Sequence, residues 1–403
     1  MARRNWLIGL AAGLWVMSAA SVGATAERAG AAREDVNQAT VAVMSGGVNG
    51  TYIRIASDMA AVLDRGDALR ILPIVGKGSV QNVTDLLYLR GVDVAIVQSD
   101  VLGFLRKEKM HGGLEERLRY ITKLYNEEVH VLAARDVAQM QDLAGKRVNV
   151  DVAGSGTAMT ASILFDALDI RVDPTNYDQA LALEKLKGGE IAAMVFIAGK
   201  PTDLFRRIPP NSGLHFVSVP FTRDLLQIYL PSSLSHADYP ALVPEDQPAD
   251  TVAVGAVLAV YNWNRQGERY KRVAAFVDAL FDGFGEFLKP PRHPKWQEVN
   301  LAAELPGWTR FTPAEEWLQR RPSTAGVGYD LSLRNSFEEF LKFMNETGGR
   351  SDRPADARTR EALFARFLEW RNRQASPAAS PGPALPADTL SPSPSPRPAA
   401  APR

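Results

Sequence analysis

The 403-residue chain has no cysteine, which excludes a disulfide framework, a thiolate metal site and a cysteine nucleophile. Histidine is scarce too. His111, His130, His215, His236 and His293 form no HxH or HxxxH pair. No histidine-built metal site is expected, and only carboxylates remain to hold a hard cation. Neither sign of charge is in excess, with 46 Lys and Arg against 46 Asp and Glu. Nucleic-acid binders rely on a strongly basic face, so no nucleic-acid partner is expected. Beyond the first two dozen residues no window reaches the roughly 18 unbroken apolar residues of a membrane span.

With 46% hydrophobic residues, a chain of this length can bury real cores, and at about 100–200 residues per domain it should form two or three domains. Residues 1–26 read as a signal peptide: Arg3 and Arg4 precede an apolar stretch from Trp6 to Ala20, and Ala24-Thr25-Ala26 has a small-x-small cleavage pattern. Cleavage after either Ala24 or Ala26 fits. The apolar stretch falls short of the ~20 residues that span a bilayer, so export to the periplasm as a soluble protein is expected over an uncleaved anchor. Removing this segment takes two arginines and no acid, and the mature chain stays close to neutral.

From Thr40 onward, short β-branched runs alternate with helical periodicity. Val41–Met44, Leu69–Val75 and Val92–Val97 read as strands; Tyr52–Leu63, Val80–Leu89 and Ser99–Lys109 read as helices. A second series follows an extended run over Glu128–Ala134, with strands at Arg147–Val150, Ile191–Phe196 and Leu214–Val219. Its helices are at Thr157–Leu168, Leu181–Lys187 and Pro201–Arg207. Thr251–Tyr261 is a further long strand, and Tyr270–Leu288 a helix. The alternation predicts parallel βαβ units in two α/β lobes joined by crossing strands, with the ligand cleft between them. Lobe one comprises residues 38–127 and 258–290, and lobe two residues 128–257. Residues 291–374, with Trp296, Trp308, Trp317 and Trp370, read as a helical C-terminal appendix. Residues 375–403 are rich in Pro, Ala and Ser and are expected to be disordered.

The chemistry-bearing feature is a set of turns, each following a strand and opening a helix. They are Ser45-Gly46-Gly47-Val48-Asn49-Gly50-Thr51-Tyr52, Gly76-Lys77-Gly78-Ser79-Val80-Gln81-Asn82, Val97-Gln98-Ser99-Asp100 and Gly154-Ser155-Gly156-Thr157. A helix start offers unpaired N–H groups and the positive end of its dipole; glycine allows close backbone approach, and hydroxyls add donors. Any one such turn is simply a cap. Four of them across two lobes point to a cleft for a small organic anion. None is GxxxxGK[ST], GxGxxG or GxSxG, and no Ser/His/Asp set is evident. No enzyme activity, cofactor or metal is expected.

These stretches resemble the TAXI family of solute receptors for TRAP transporters. They are Gly46-Gly47-x-x-Gly50-x-Tyr52, Gly78-Ser79-Val80-Gln81-Asn82, Asp93–Asp100, and Leu143–Val148 leading into Gly154-Ser155-Gly156-Thr157, with a further likeness over Ala192–Pro201. The resemblance covers Val41–Lys289. It implies a two-lobed type II periplasmic-binding-protein fold closing around glutamate, glutamine or a dicarboxylate-like ligand, and integral membrane permease subunits of the TRAP type as partners. The ligand contacts it implies are Gly47, Asn49, Gly50, Thr51, Tyr52, Lys77, Gly78, Ser79, Asn82, Gln98, Ser99, Gly154, Ser155, Gly156, Thr157 and Phe196. A monomer is expected. The chain departs from the family pattern at Asn49, Arg54, Gly76 and Asp151. Arg54 and Lys77 either favour a more anionic ligand or are solvated surface charges; Asp151 opposes an anion or pairs with an ammonium.

Two function classes compete with transport. A signalling receptor would use the same fold, with the extension after Pro290 as its docking element. An exported hydrolase would require a nucleophile–base pair that the sequence does not display.

Overall fold

The computed structural model describes residues 39–320. The expectations for residues 1–26, for the appendix beyond 320 and for the Pro-rich tail lie outside them. Lobe one begins with β1 (Thr40–Met44), α1 (Thr51–Leu63), β2 (Arg70–Ile74), α2 (Ser79–Tyr88), β3 (Val94–Gln98), α3 (Val101–Lys107) and the short α4 (Leu114–Arg117). Next comes β4 (Leu118–Ala134), which leads into β5 (Arg147–Asn149), α5 (Gly156–Ala167), β6 (Asp173–Thr175), α6 (Gln179–Lys187) and β7 (Ala193–Ala198). Short α7 (Asp203–Arg206), β8 (Leu214–Phe216), α8 (Arg223–Leu226) and β9 (Leu230–Leu234) precede β10 (Ala249–Tyr261). The chain then forms α9 (Glu268–Asp282), α10 (Phe284–Phe287) and α11 (Thr312–Arg320).

The strands run in the order β2-β1-β3-β10-β4-β7-β5-β6, with β8 against β4 and β9 against β10. β1 is parallel to both β2 and β3, and β5 is parallel to both β6 and β7, as right-handed strand–helix–strand units require. Two long strands tie the lobes together. β10 pairs antiparallel with β9 over Ala249–Ala253 and with β3 over Ala256–Val260. β4 pairs with β10 up to Glu128 and then with β7 from Glu128 to Ala133. Register shifts at Gly255/Val257 and Leu258/Ala259 mark where β10 bends. This is the two-lobed α/β arrangement with crossing strands.

Each lobe packs apolar side chains on both faces of its part of the sheet. In lobe one, Ile55, Met59 and Phe276 fill one face and Val83, Leu102 and Leu105 the other. In lobe two the corresponding sets are Val148, Leu164 and Val195, and Leu132, Leu186 and Phe205. The helix expected over Tyr270–Leu288 is divided at Gly283, where a Cβ would meet the Ala279 carbonyl oxygen at 2.9 Å.

The segment after Pro290 does not form a layer of its own within the described residues. Trp296, Val299, Leu301, Phe311, Ala314 and Trp317 are buried in the same cluster as Ile55 and Phe276 of lobe one. Trp296 stacks 4.3 Å from Phe287 and donates its indole N–H to Asp58 at 2.9 Å. From this segment Lys295 also reaches the crossing strands: its buried ammonium bonds Glu128 at 2.9 Å and Glu298 at 2.7 Å, while Glu128 accepts the Lys200 N–H. The two carboxylates hold the Lys295 pKa above its ordinary value against the effect of burial. Among the described residues no helix is long and apolar enough to cross a membrane.

Candidate functional site

Three helices open onto one small cavity between the lobes. It is lined by Gly46, Gly47, Gly50, Thr51 and Tyr52 at the start of α1, by Lys77 and Gly78 before α2, and by Gln98 at the end of β3. The second lobe supplies Asp151, Ser155, Gly156 and Thr157 at the start of α5, with Phe196 and Ile197 from β7. Glu127 enters from the crossing strand β4. The cavity measures about 50 Å³ in this arrangement, because the facing turns touch. The Gln81 N–H donates to the Gly154 carbonyl at 2.9 Å, and Thr51 Oγ1 accepts from the Gly199 N–H at 3.1 Å.

Close approach explains two of the glycines. Gly78 has φ of +111°, a left-handed value, and a Cβ there would lie 3.0 Å from the Gly156 nitrogen. A Cβ on Gly156 would meet Gln98 Oε1 at 2.1 Å and Ser79 Oγ at 2.7 Å. Only hydrogen at these positions lets the lobes meet.

The N-termini of α1 and α2 carry no side-chain cap, so the positive ends of both helices face the cavity, that of α2 with its Gln81 N–H taken by the Gly154 carbonyl of the other lobe. At α5 the cap is Ser155, whose Oγ accepts from the Ala158 N–H at 3.0 Å. Glu127 is buried and accepts the Tyr52 hydroxyl at 2.7 Å. Burial pushes its carboxyl up to about 8, the neighbouring Glu128 adds to the rise, and the Tyr52 hydrogen bond opposes it. Glu127 is thus a neutral acid at pH 7 and can donate a proton to a hydrogen bond. Burial also raises Asp151, to about 6. Lys77 is exposed at the rim.

The sequence model of the NMT1-like family matches residues 43–283, more than half of the chain. The chain belongs to the NMT1-like family. Among solved structures, it is similar to the periplasmic binding protein BugD, at 12% identity over 72% of this chain and 97% of that one, with a TM-score of 0.43. It is also similar to the alkanesulfonate-binding protein SsuA from Xanthomonas axonopodis pv. citri, at 12% identity, 84% and 95% coverage and a TM-score of 0.38. A third is the substrate-binding protein of an amino acid ABC transporter, at 11% identity, 62% and 95% coverage and a TM-score of 0.38.

In this NMT1-like chain the lining set contains Gly47, Gly50, Thr51, Tyr52, Lys77, Gly78, Gln98, Ser155, Gly156, Thr157 and Phe196 from the residues expected to touch ligand. Five others lie outside it. Asn82 is buried and committed to holding strand ends together: its amide donates to the Ser45 and Ile96 carbonyls, both at 2.8 Å, and accepts from Gly78 at 3.2 Å. The Ser79 hydroxyl donates to Gln98 Oε1 at 3.0 Å and accepts the Gln98 N–H at 2.9 Å. Ser99 accepts the Trp308 indole N–H through its carbonyl, and the Gly154 carbonyl takes the Gln81 N–H. Asn49 lies in the first turn without lining the cavity.

Asp100 sits at the N-cap of α3, but its side chain makes no capping hydrogen bond there. Its Oδ2 instead reaches lobe two, accepting from Tyr229 at 3.0 Å and Thr160 at 3.3 Å. Arg54 pairs with Asp203, also across the lobes. Sequence reasoning missed Glu127, Gly46 and Ile197 as lining residues. An available signal for Glu127 was the acidic pair Glu127-Glu128 between Tyr125 and Val129, in an otherwise apolar strand. Among the described residues no group of three His, Asp or Glu side chains could hold a metal.

Proposed function

We propose that the chain is an extracytoplasmic solute receptor that captures a small carboxylate, such as glutamate, glutamine or a related dicarboxylate, and delivers it to a TRAP-type membrane permease. The observation that carries the capture step is the convergence of the α1, α2 and α5 N-termini, from two lobes joined by crossing strands, on one cavity. Backbone N–H groups and helix dipoles there favour a carboxylate. Glu127, being neutral, does not repel it. Asp151, ionised above about pH 6, is placed to pair with the ammonium of an amino acid.

Ligand pockets usually hold at least ~300 Å³, so the lobes part to admit the ligand and close on it. Contacts from both lobes supply the differential affinity that drives closure. Delivery to a TRAP-type permease is supported by the resemblance of the four turns to the TAXI receptors.

The mature protein is expected to show saturable binding by calorimetry to at least one of glutamate, glutamine and 2-oxoglutarate. At a ligand concentration ~100 times Kd, linkage stabilises the fold by about 2.7 kcal/mol, a rise of several degrees in melting temperature. Absence of binding and of a thermal shift across a broad carboxylate panel would remove the carboxylate assignment. Uptake in cells that carry or lack the permease tests delivery separately.

A further inference from the structure

A second and larger cavity, about 350 Å³, lies between the lobes and shares no lining residue with the first. Its walls are α1 beyond Tyr52, the Pro291–Pro294 turn, and the start of α7 from lobe two. Three guanidiniums, Arg54, Arg206 and Arg292, line it with two carboxylates, Asp58 and Asp203.

Both acids are engaged. Asp58 accepts the His293 backbone N–H at 2.8 Å and the Trp296 indole at 2.9 Å, with Arg292 at 3.5 Å. Asp203 pairs with Arg54. Arg206 is exposed and has no carboxylate partner among the described residues. His293 is held neutral, its pKa lowered to about 4 chiefly by burial and then by Arg54. The cavity therefore carries a net positive charge. Its arginines come from both lobes, and guanidinium forks suit phosphate and carboxylate oxygens.

We propose that the cavity between Arg54, Arg206 and Arg292 is a second binding site, for a small multivalent oxyanion of the phosphate or polycarboxylate class, which fastens the two lobes together. An oxyanion there bridges Arg206 of lobe two to Arg54 and Arg292 of lobe one, replacing the half-exposed Arg54–Asp203 pair, which alone contributes little. Asp203 competes with the anion for Arg54. The site is independent of whatever ligand the first cavity takes.

The test titrates the mature full-length protein with inorganic phosphate and, separately, with citrate, by calorimetry. One saturable site per chain is expected. Affinity should fall at least tenfold in Arg206→Ala and rise several-fold in Asp203→Asn; Arg206 is exposed and Asp203 half-exposed, so the variants should keep a melting temperature close to the parent's. Binding of phosphate alone assigns the site to phosphates, of citrate alone to polycarboxylates. In the fastened state the Gly199 amide, which donates to Thr51 across the lobes, should exchange its hydrogen more slowly when the anion is present. Failure of both anions to bind, or binding indifferent to Arg206→Ala, would overturn the site. Unchanged exchange at Gly199 would overturn the fastening.

Discussion

Glu127 is the residue whose chemistry depends most on its surroundings. An ordinary glutamate titrates near 4.5, but burial brings this one to about 8. Between those values the folded chain holds a proton that the unfolded chain has released. Stability from this group is therefore full below about pH 4.5 and falls as pH rises through about 8. Glu127→Gln keeps an acceptor for Tyr52 and removes the titration. Its melting temperature should change less between pH 5 and pH 8.5 than that of the parent, and exceed the parent's at the alkaline end. Parallel curves would show that Glu127 is ionised throughout. At Gly156 the expected effect is steric. Gly156→Ala places a methyl against Gln98 and Ser79, residues of the opposite lobe, so closure should suffer more than folding. Calorimetry should show carboxylate affinity reduced at least tenfold, with a melting temperature near the parent's without ligand. Residue types at strand–helix junctions made these turns legible in the sequence. They did not separate residues facing the gap from those behind it. Asn82 and Ser79 have the same donors as true lining residues, and only the spatial meeting of β1, β3 and α2 shows those donors already spent.

Elements were legible to the extent that local periodicity determines them. The βα alternation, nearly all of β10 and the later part of β4 follow from β-branched runs and helical spacing, because each element buries a face that its own sequence encodes. The first part of β4, before the extended run expected over Glu128–Ala134, is a strand through its pairing with β10. Short β6 and β9 lack such a signal, and tertiary pairing makes them strands. The segment after Pro290 shows the same limit at larger range. Its tryptophans read as packing residues, but the face that Trp296 and Trp317 pack on joins the neighbouring α9 and α10 to α1, far back in sequence. A chain ending at residue 290 would expose that face and leave Glu128 buried without Lys295. It should unfold at a much lower temperature or fail to accumulate, which differential scanning calorimetry or expression would show. Trp296→Ala isolates the packing contribution. Deleting a buried tryptophan costs about 3–5 kcal/mol, here with the loss of the hydrogen bond to Asp58, and chemical denaturation should register it. A shift below about 1 kcal/mol would mean that the segment adds little to the lobe.

In the proposed capture mechanism the lobes exchange between parted and joined arrangements, and Asp100 is placed to make that equilibrium sensitive to pH. Its carboxyl belongs to lobe one, yet its acceptor Oδ2 is used by Tyr229 and Thr160 of lobe two. Its other oxygen, Oδ1, is buried without a hydrogen-bond partner. Burial raises the group to about 6, with the two hydroxyls opposing the shift. The joined arrangement thus favours protonated Asp100, whereas parting the lobes returns it to water and to an ordinary carboxylate value near 3.8. Across roughly pH 4 to 6 the joined state binds more protons than the parted one, so acidification through that window promotes closure and alkalinity weakens it. Asp151 and Glu127 also titrate at the interface, Asp151 near the same pH and Glu127 higher, and the comparison must remove Asp100 alone. Asp100→Asn retains an acceptor for Tyr229 and stays uncharged at every pH. Scattering radii measured from pH 4 to pH 8 should show the parent expanding as pH rises while Asp100→Asn changes less and stays more compact at pH 7 and above. If both proteins expand in parallel, the pH response of closure arises at Asp151 or Glu127, and Asp100 serves only as an acceptor for its two lobe-two donors.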